Sequence, residues 1–336
     1  MKRSALSFAA ENRFDGGFMA ILVTGGAGFI GSTLLDRLVA EGADAVCWDD
    51  FNDYYDPRRK RANIAPLLER KEIRLYSGDI CDVALGEEIF RKERIETIVH
   101  LAARAGVRHS LQHPLLYERV NCGGTTALLE LARKNGVKRF IFGSTSSAYG
   151  ATKRIPFTED DPADAQVSPY AASKRAAELL CRAWHEIYGL PVMCLRFFTV
   201  YGPRGRPDMA VFLFTDAMVH GRPIDVFGDG SSRRDYTFVE DIVSGIVGAV
   251  RAEFGFEIVN LGESRTVELR RLIELIAQAT GKTPQINRLP PAPGDVPITF
   301  ANIEKARRLL GYNPSFPIES GVPLFVEWYR KTMRDG

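Results

Sequence analysis

The sequence predicts an α/β protein: a doubly wound parallel sheet covered by helices on both faces, with a smaller C-terminal α/β region beside it. Three observations carry this expectation. Short apolar runs alternate with amphipathic helical stretches through the first half of the chain, the pattern of a sheet built from strand–helix–strand units. The runs are continuous in apolar character rather than alternating, as strands buried on both faces require. A glycine-spaced turn separates the first run from the first helix.

Taken in order, residues 20–23 read as the first strand and 29–41 as the first helix. Strands follow at 45–48, 73–76 and 97–101. A helix over 125–135 ends at Gly136, a strand covers 139–142, a helix 171–187 and a strand 191–195. After Arg196 prolines and glycines become denser, and shorter elements are expected: helices near 211–220, 239–252, 267–279, 303–310 and 322–332, and a strand near 224–227. The expected division is a disordered extension over 1–18, a dinucleotide-binding domain over 19–195 and a mainly substrate-binding region over 196–336. Met19 stands directly before the first strand, so either it is the biological start or the first 18 residues form a disordered tail.

Composition narrows the class. The 336 residues are 45% hydrophobic and 26% charged, with a net charge of +2, which offers no footprint for nucleic acid or a membrane surface. No apolar run approaches the ~20 residues of a membrane span. The five cysteines (Cys47, Cys81, Cys122, Cys181 and Cys194) show no C-x-x-C spacing, so no metal site is expected and the count suits a reducing, cytoplasmic setting. The run Arg58-Arg59-Lys60-Arg61 reads first as a solvated helix face, with a cofactor or phosphate contact as the sharper alternative.

Thr24-Gly25-Gly26-Ala27-Gly28-Phe29-Ile30-Gly31 spaces its glycines G-x-x-G-x-x-G. Glycine permits the tight turn and lets a phosphate reach the backbone, while the following helix presents free N–H groups and the positive end of its dipole. A glycine triplet alone is a weak signal. Here a strand precedes it, a helix follows, and Asp49 comes 24 positions after Gly25 with Asp50 beside it, the context of a Rossmann-type dinucleotide site. A carboxylate there accepts bonds from ribose hydroxyls and repels a 2′-phosphate, so NAD is expected rather than NADP. Asp-Asp-Phe-Asn-Asp is also turn-rich, and either acid alone could serve the turn. Asp79 is placed to meet the adenine or to cap a helix, and the two readings stand level.

Tyr170 and Lys174 are i and i+4 on the predicted helix, so phenol and ammonium share one face. A nearby cation favours the phenolate and lowers the tyrosine pKa, giving a base for a sugar hydroxyl. Ser144-Thr145-Ser146-Ser147 follows a buried strand, with Thr145 25 residues before Tyr170; hydroxyls there can orient a substrate hydroxyl against the tyrosine.

TGGAGFIG, His100-Leu101-Ala102-Ala103, the hydroxyl loop and Tyr170-Ala171-Ala172-Ser173-Lys174 together resemble the extended short-chain dehydrogenase/reductase superfamily of nucleotide-sugar enzymes. The match runs from Met19 to near the C-terminus. Asp53-Tyr54-Tyr55-Asp56, Ala105-Gly106-Val107-Arg108, Arg196–Pro203, Gly205-Arg206-Pro207-Asp208-Met209 and Arg233-Arg234-Asp235-Tyr236-Thr237 resemble most its UDP-glucuronate 4-epimerase branch. The resemblance implies a tightly bound NAD held by Gly25, Gly28, Phe29, Ile30, Gly31, Asp49, Asp50, Asn52, Asp79, Ile80, Leu101, Ala102, Ala103, Tyr170 and Lys174. It makes Tyr170 the acid/base, with Lys174, Thr145, Ser146 and Ser147 as its catalytic company. Arg108, Asn121, Thr199, Arg206 and Arg234 would serve the UDP-sugar. Asn121 would support the site from behind or cap a helix. Arg206 is the candidate for a uronate carboxylate, because a guanidinium donates two parallel bonds to one; a surface loop arginine is the plainer alternative. A homodimer through a helical bundle is also implied.

Three positions depart from the family pattern. Arg104 stands where a small or amide residue is usual, Asp50 where Asn is expected, and Ala292 where related glucose epimerases place an arginine. The acids that dehydratases and decarboxylases carry in the hydroxyl loop are absent. A UDP-glucose 4-epimerase is therefore the nearest rival reading. A non-catalytic NAD-binding protein is disfavoured because both Tyr170 and Lys174 are present.

Overall fold

The computed structural model describes residues 20–290 and 296–333. The expected extension over 1–18, the start at Met19 and the departure at Ala292 lie outside the described residues.

The strand β1 (Ala20–Thr24) is buried along its whole length. Side chains alternate across a strand, so Ile21 and Val23 enter one apolar layer with Leu34, Leu35, Leu38, Ile242 and Ile246. Ala20 and Leu22 enter the other, with Phe90, Leu128, Leu131 and Cys181. Both faces of the strand are consumed by helix packing, and that is why no polar alternation is legible there.

Around β1 lies a parallel sheet of seven strands. In chain order they are β1, β2 (Ala45–Asp49), β3 (Ile73–Ser77), β4 (Ile95–His100), β5 (Arg139–Thr145), β6 (Val192–Phe197) and a seventh, Phe256–Leu261. Their spatial order is Phe256–Leu261, β6, β5, β4, β1, β2, β3. The chain thus winds outward from β1 in both directions, and the crevice above β1 lies at the reversal, where open α/β sheets place their ligands.

The sheet runs across the expected division at residue 195. The strand Phe256–Leu261 is absent from the sequence expectation, and it pairs with β6 from Val192 to Phe197. The helix Val239–Arg251 packs on the first helix, α1 (Phe29–Ala40). The C-terminal half therefore returns to complete the large sheet before contributing to the smaller lobe. Two β-clusters of that lobe pair Thr199–Tyr201 with Arg233–Phe238 and the latter with Thr266–Glu268, and Ile224–Phe227 with Ile286–Leu289. Its own core gathers Phe212, Phe238, Leu272, Ile276, Phe325 and Tyr329. The segment expected to be helical from 267 begins as strand Thr266–Glu268 and turns helical only at Leu269.

Candidate active site

The glycine turn is built by close backbone approach. Gly25 adopts φ +68, and a Cβ there would lie 2.7 Å from the Ala102 nitrogen. A Cβ on Gly31 would lie 2.3 Å from the Gly25 carbonyl oxygen, so the third glycine lets α1 sit against the turn. The helix begins at Phe29 with no side-chain cap on its first N–H groups, which leaves them for an anion. At the tip of β2, Asp49 is oriented by two backbone donors: Ala27 N–H to Oδ2 at 3.0 Å and Phe51 N–H to Oδ1 at 2.9 Å. Burial raises its carboxyl pKa, while those bonds and the Lys60 ammonium oppose the rise.

Each residue expected to hold the dinucleotide lines one cleft, from Gly25 and Asp49 at one end to Tyr170 and Lys174 at the other. Arg206 lines it too, as do Tyr54, Tyr55, Lys60, Arg104 and Phe197. The glycine cradle, the free helix start, the acid at the tip of β2 and this lining fit an NAD molecule. Lys60 departs from the reading of its run as a solvated face: it is buried, and its Nζ donates to the Asn52 carbonyl at 2.8 Å. Asp79 accepts from Cys81 N–H at 2.9 Å and pairs with Arg119 at 2.9 Å, and the helix cap falls to Asp82.

The catalytic pair stands on the helix α7 (Pro169–Tyr188, counting Pro57–Glu69, Val83–Lys92, Val107–Gln112, Pro114–Tyr117 and Thr125–Lys134 as α2 to α6). Ser168 Oγ accepts from Ala171 N–H at 3.1 Å, Pro169 opens the first turn and Gly189 ends the helix in the left-handed region. These signals hold Tyr170 in the first turn and Lys174 one turn later. Thr145 ends β5, where its hydroxyl lies near enough to the Tyr170 phenol to lower its pKa and accepts from Ser147 N–H at 3.1 Å. Ser146 and Ser147 open the short 3₁₀ turn after it.

The electrostatics differ from expectation. Burial raises the Tyr170 pKa; the Thr145 hydroxyl and the Arg206 charge pull it down, and Asp208 pushes it up. Arg206, which the sequence reading assigned to the sugar, is thus a cation that also acts on the phenol. Lys174 is buried, with Nζ 3.9 Å from the Phe142 ring centre. Burial brings its pKa down to about 8.

Arg206 is not a bare surface arginine. Its Nε donates to Asp208 Oδ1 at 2.9 Å and its Nη2 to Oδ2 at 2.7 Å, and Tyr54 Oη donates to Oδ2 at 3.0 Å. One edge of the guanidinium is thus held by Asp208; among the described residues its Nη1 has no hydrogen-bond partner. Burial opposes ionisation of Asp208, but Arg206 and Tyr54 hold its carboxyl below the usual range. Asp208 and Tyr54 lie in the strings that carry the resemblance, yet no local pattern assigns them a role. Nothing in GRPDM shows that its acid turns back on its arginine.

Asn121 is buried in a π-helical turn, Glu118–Gly124, and its side chain caps no helix. It accepts from Arg104 N–H at 2.8 Å and donates to the Arg104 carbonyl and to Ser173 Oγ, each at 3.0 Å. Arg108, Thr199 and Arg234 do not line the cleft. Arg108 lies over the Phe227 ring at 4.2 Å. Thr199 and Arg234 stand on the paired strands Thr199–Tyr201 and Arg233–Phe238 of the smaller lobe.

A buried network behind the site escapes sequence reasoning. Ser144 Oγ donates to Glu178 at 2.6 Å, Glu178 receives Arg196 at 2.9 and 2.8 Å, and Arg196 lies 4.4 Å from the Tyr149 ring centre. Arg175 meets Glu178 from three positions earlier on α7, but the partners that tie it to the sheet are 18 and 34 positions away. Spacing along one helix gives no clue to such pairs; only the burial of a glutamate on the inner face of α7 does.

The profile of the NAD dependent epimerase/dehydratase family matches residues 21–262. A UDP-glucuronate 4-epimerase of Thermodesulfobacterium geofontis is 40% identical over 93% of this chain and 96% of its own. Two solved structures are similar, each with a TM-score of 0.87. One is a UDP-glucose 4-epimerase of Thermotoga maritima with UDP-glucose, 34% identical over 94% of this chain and 100% of that one. The other is a UDP-glucuronic acid 4-epimerase of Bacillus cereus with UDP-glucuronic acid and NAD, 33% identical over 93% and 99%.

Proposed function

The chain belongs to the NAD dependent epimerase/dehydratase family, and from that premise we propose that it interconverts UDP-glucuronate and UDP-galacturonate by epimerisation at C4. The observation that carries the choice of sugar is Arg206 in the cleft wall, held on one edge by Asp208 and acting electrostatically on Tyr170.

Bound NAD⁺ supplies the hydride acceptor and donor for C4. The glycine turn, Asp49 at its adenosine end and Lys174 near Tyr170 would hold it. Tyr170 Oη takes the proton of the C4 hydroxyl and returns it once the sugar presents its other face. Thr145 orients that hydroxyl against the phenol, with Ser146 and Ser147 beside it. Asn121 supports the wall from behind through Arg104 and Ser173, while Thr199 and Arg234 serve the nucleotide from the smaller lobe and Arg108 from α4, where it lies over Phe227. Arg206 donates its free edge to the C6 carboxylate. The 4-keto sugar is a β-keto acid prone to lose CO₂, and a firmly paired carboxylate resists that loss.

Product analysis by NMR of the sugar anomeric protons, after incubation with a panel of UDP-sugars, tests the reading. UDP-galacturonate formed from UDP-glucuronate, with little turnover of UDP-glucose, is expected. Preferential conversion of UDP-glucose would overturn the choice of sugar, and no conversion of either would revive a non-catalytic role.

The assembly proposed is a homodimer. Leu115 on α5 and Leu179 on α7 are 82% and 55% exposed on helices that pack together, and a second copy would cover them. A cytoplasmic setting accords with five unpaired cysteines. Among the described residues no helix is long and apolar enough to cross a membrane, and no cluster of ligating side chains could hold a metal.

A further inference from the structure

Two of the departures from the family pattern meet each other in space. Asp50 directly follows β2 and Arg104 follows β4, and these strands flank β1 on its two sides. Arg104 Nη2 lies 3.7 Å from Asp50 Oδ2, with side chains 15% and 30% exposed. The ion pair therefore joins the chain beyond β2 to the chain beyond β4, the two strands on either side of β1. Both residues line the cleft.

Each end is anchored. Asp50 Oδ1 accepts from Asn52 N–H at 3.0 Å and from its side-chain amide at 2.6 Å. The Arg104 backbone is gripped on both sides by Asn121. Among the described residues Arg104 Nε is buried without a hydrogen-bond partner, a donor left over at the cleft wall. A dinucleotide laid from Asp49 toward Tyr170 crosses the end of β1, where the pair stands.

We propose that Asp50 and Arg104 form a strap that closes over the bound dinucleotide and slows its exchange. The inference rests on the reading of this cleft as an NAD site. A half-buried ion pair is modest in strength, but it acts on the dissociation rate, and a residence time lengthens in proportion.

The test follows exchange of bound NAD against isotopically labelled NAD by mass spectrometry of the extracted nucleotide. It compares the wild type, Asp50→Asn, Arg104→Gln and the double variant. Asp50→Asn keeps an acceptor for Asn52 and removes only the charge. Each single variant should exchange about two- to fivefold faster, and the double variant should exchange no faster than either, since both changes remove the same interaction. Molar salt should speed exchange in the wild type and much less in the variants, a readout that survives if a variant folds poorly. Asp50→Asn exchanging at or below the wild-type rate would overturn the strap, because an Arg104 freed toward the phosphates would hold them tighter. Additive effects would overturn it as well, marking Asp50 and Arg104 as separate contacts. A wild type that binds no labelled NAD overturns the cofactor reading and the strap with it; slow wild-type exchange unmoved by the variants or by salt overturns the strap alone.

Discussion

Tyr170 stands between a charge that favours its phenolate and one that opposes it. Arg206 pulls the phenol pKa down and Asp208 pushes it up, against a rise caused by burial. A base must be deprotonated to act, so activity climbs as pH rises through the phenol pKa, and kcat/KM reports that climb for the free enzyme. Arg206→Gln removes the lowering charge and leaves Asp208, so the acidic limb of the kcat/KM profile should move to higher pH. The same change removes a charge-assisted bond to the substrate carboxylate, and KM for UDP-glucuronate should rise about tenfold or more. A limb that stays in place would show that the guanidinium does not act on the phenol. Released CO₂ from the variant would report a 4-keto sugar no longer held by its carboxylate. Lys174 adds its own dependence: with a pKa of about 8, it is charged at neutral pH and loses that charge as pH rises above 8.

At the scale of elements, α7 and β6 are joined by a buried charge pair. Glu178 is fully buried and Arg196 almost so, and Ser144 near the end of β5 shares the same carboxylate. Burial works against ionised Glu178, but the Arg196 and Ser144 bonds keep its carboxyl below the ordinary value. Removing one member of such a pair leaves the other buried and uncompensated, at a cost of about 3–5 kcal/mol. Glu178→Gln should therefore lower the denaturant midpoint strongly and loosen the Thr145 end of β5, raising KM as well. A midpoint within experimental error of the wild type would show that the pair does not hold α7 to the sheet. The strap, by contrast, joins two loops and should affect exchange far more than stability.

The whole molecule presents one further face for test. Leu115 and Leu179 are exposed on adjoining helices, on the same α5–α7 side that carries the catalytic pair. Leu179→Glu places a charge in the middle of the proposed interface, where an unpaired charge is costly. The wild type should sediment as a dimer and the variant as a monomer; a wild-type monomer would remove the assembly. Sequence alone determined much of this protein. The glycine spacing, Asp49 and the Tyr170/Lys174 interval are local patterns, because a turn, a strand tip and a helix face are each built from neighbouring residues. Tertiary structure alone decided the rest. The return of Phe256–Leu261 to the large sheet, Asp208 turned onto Arg206, Glu178 paired with Arg196 and Asp50 reaching Arg104 all depend on which groups the folded chain brings together. No periodicity records a partner supplied by another strand, and a buried charge shows its cost only once its surroundings are known.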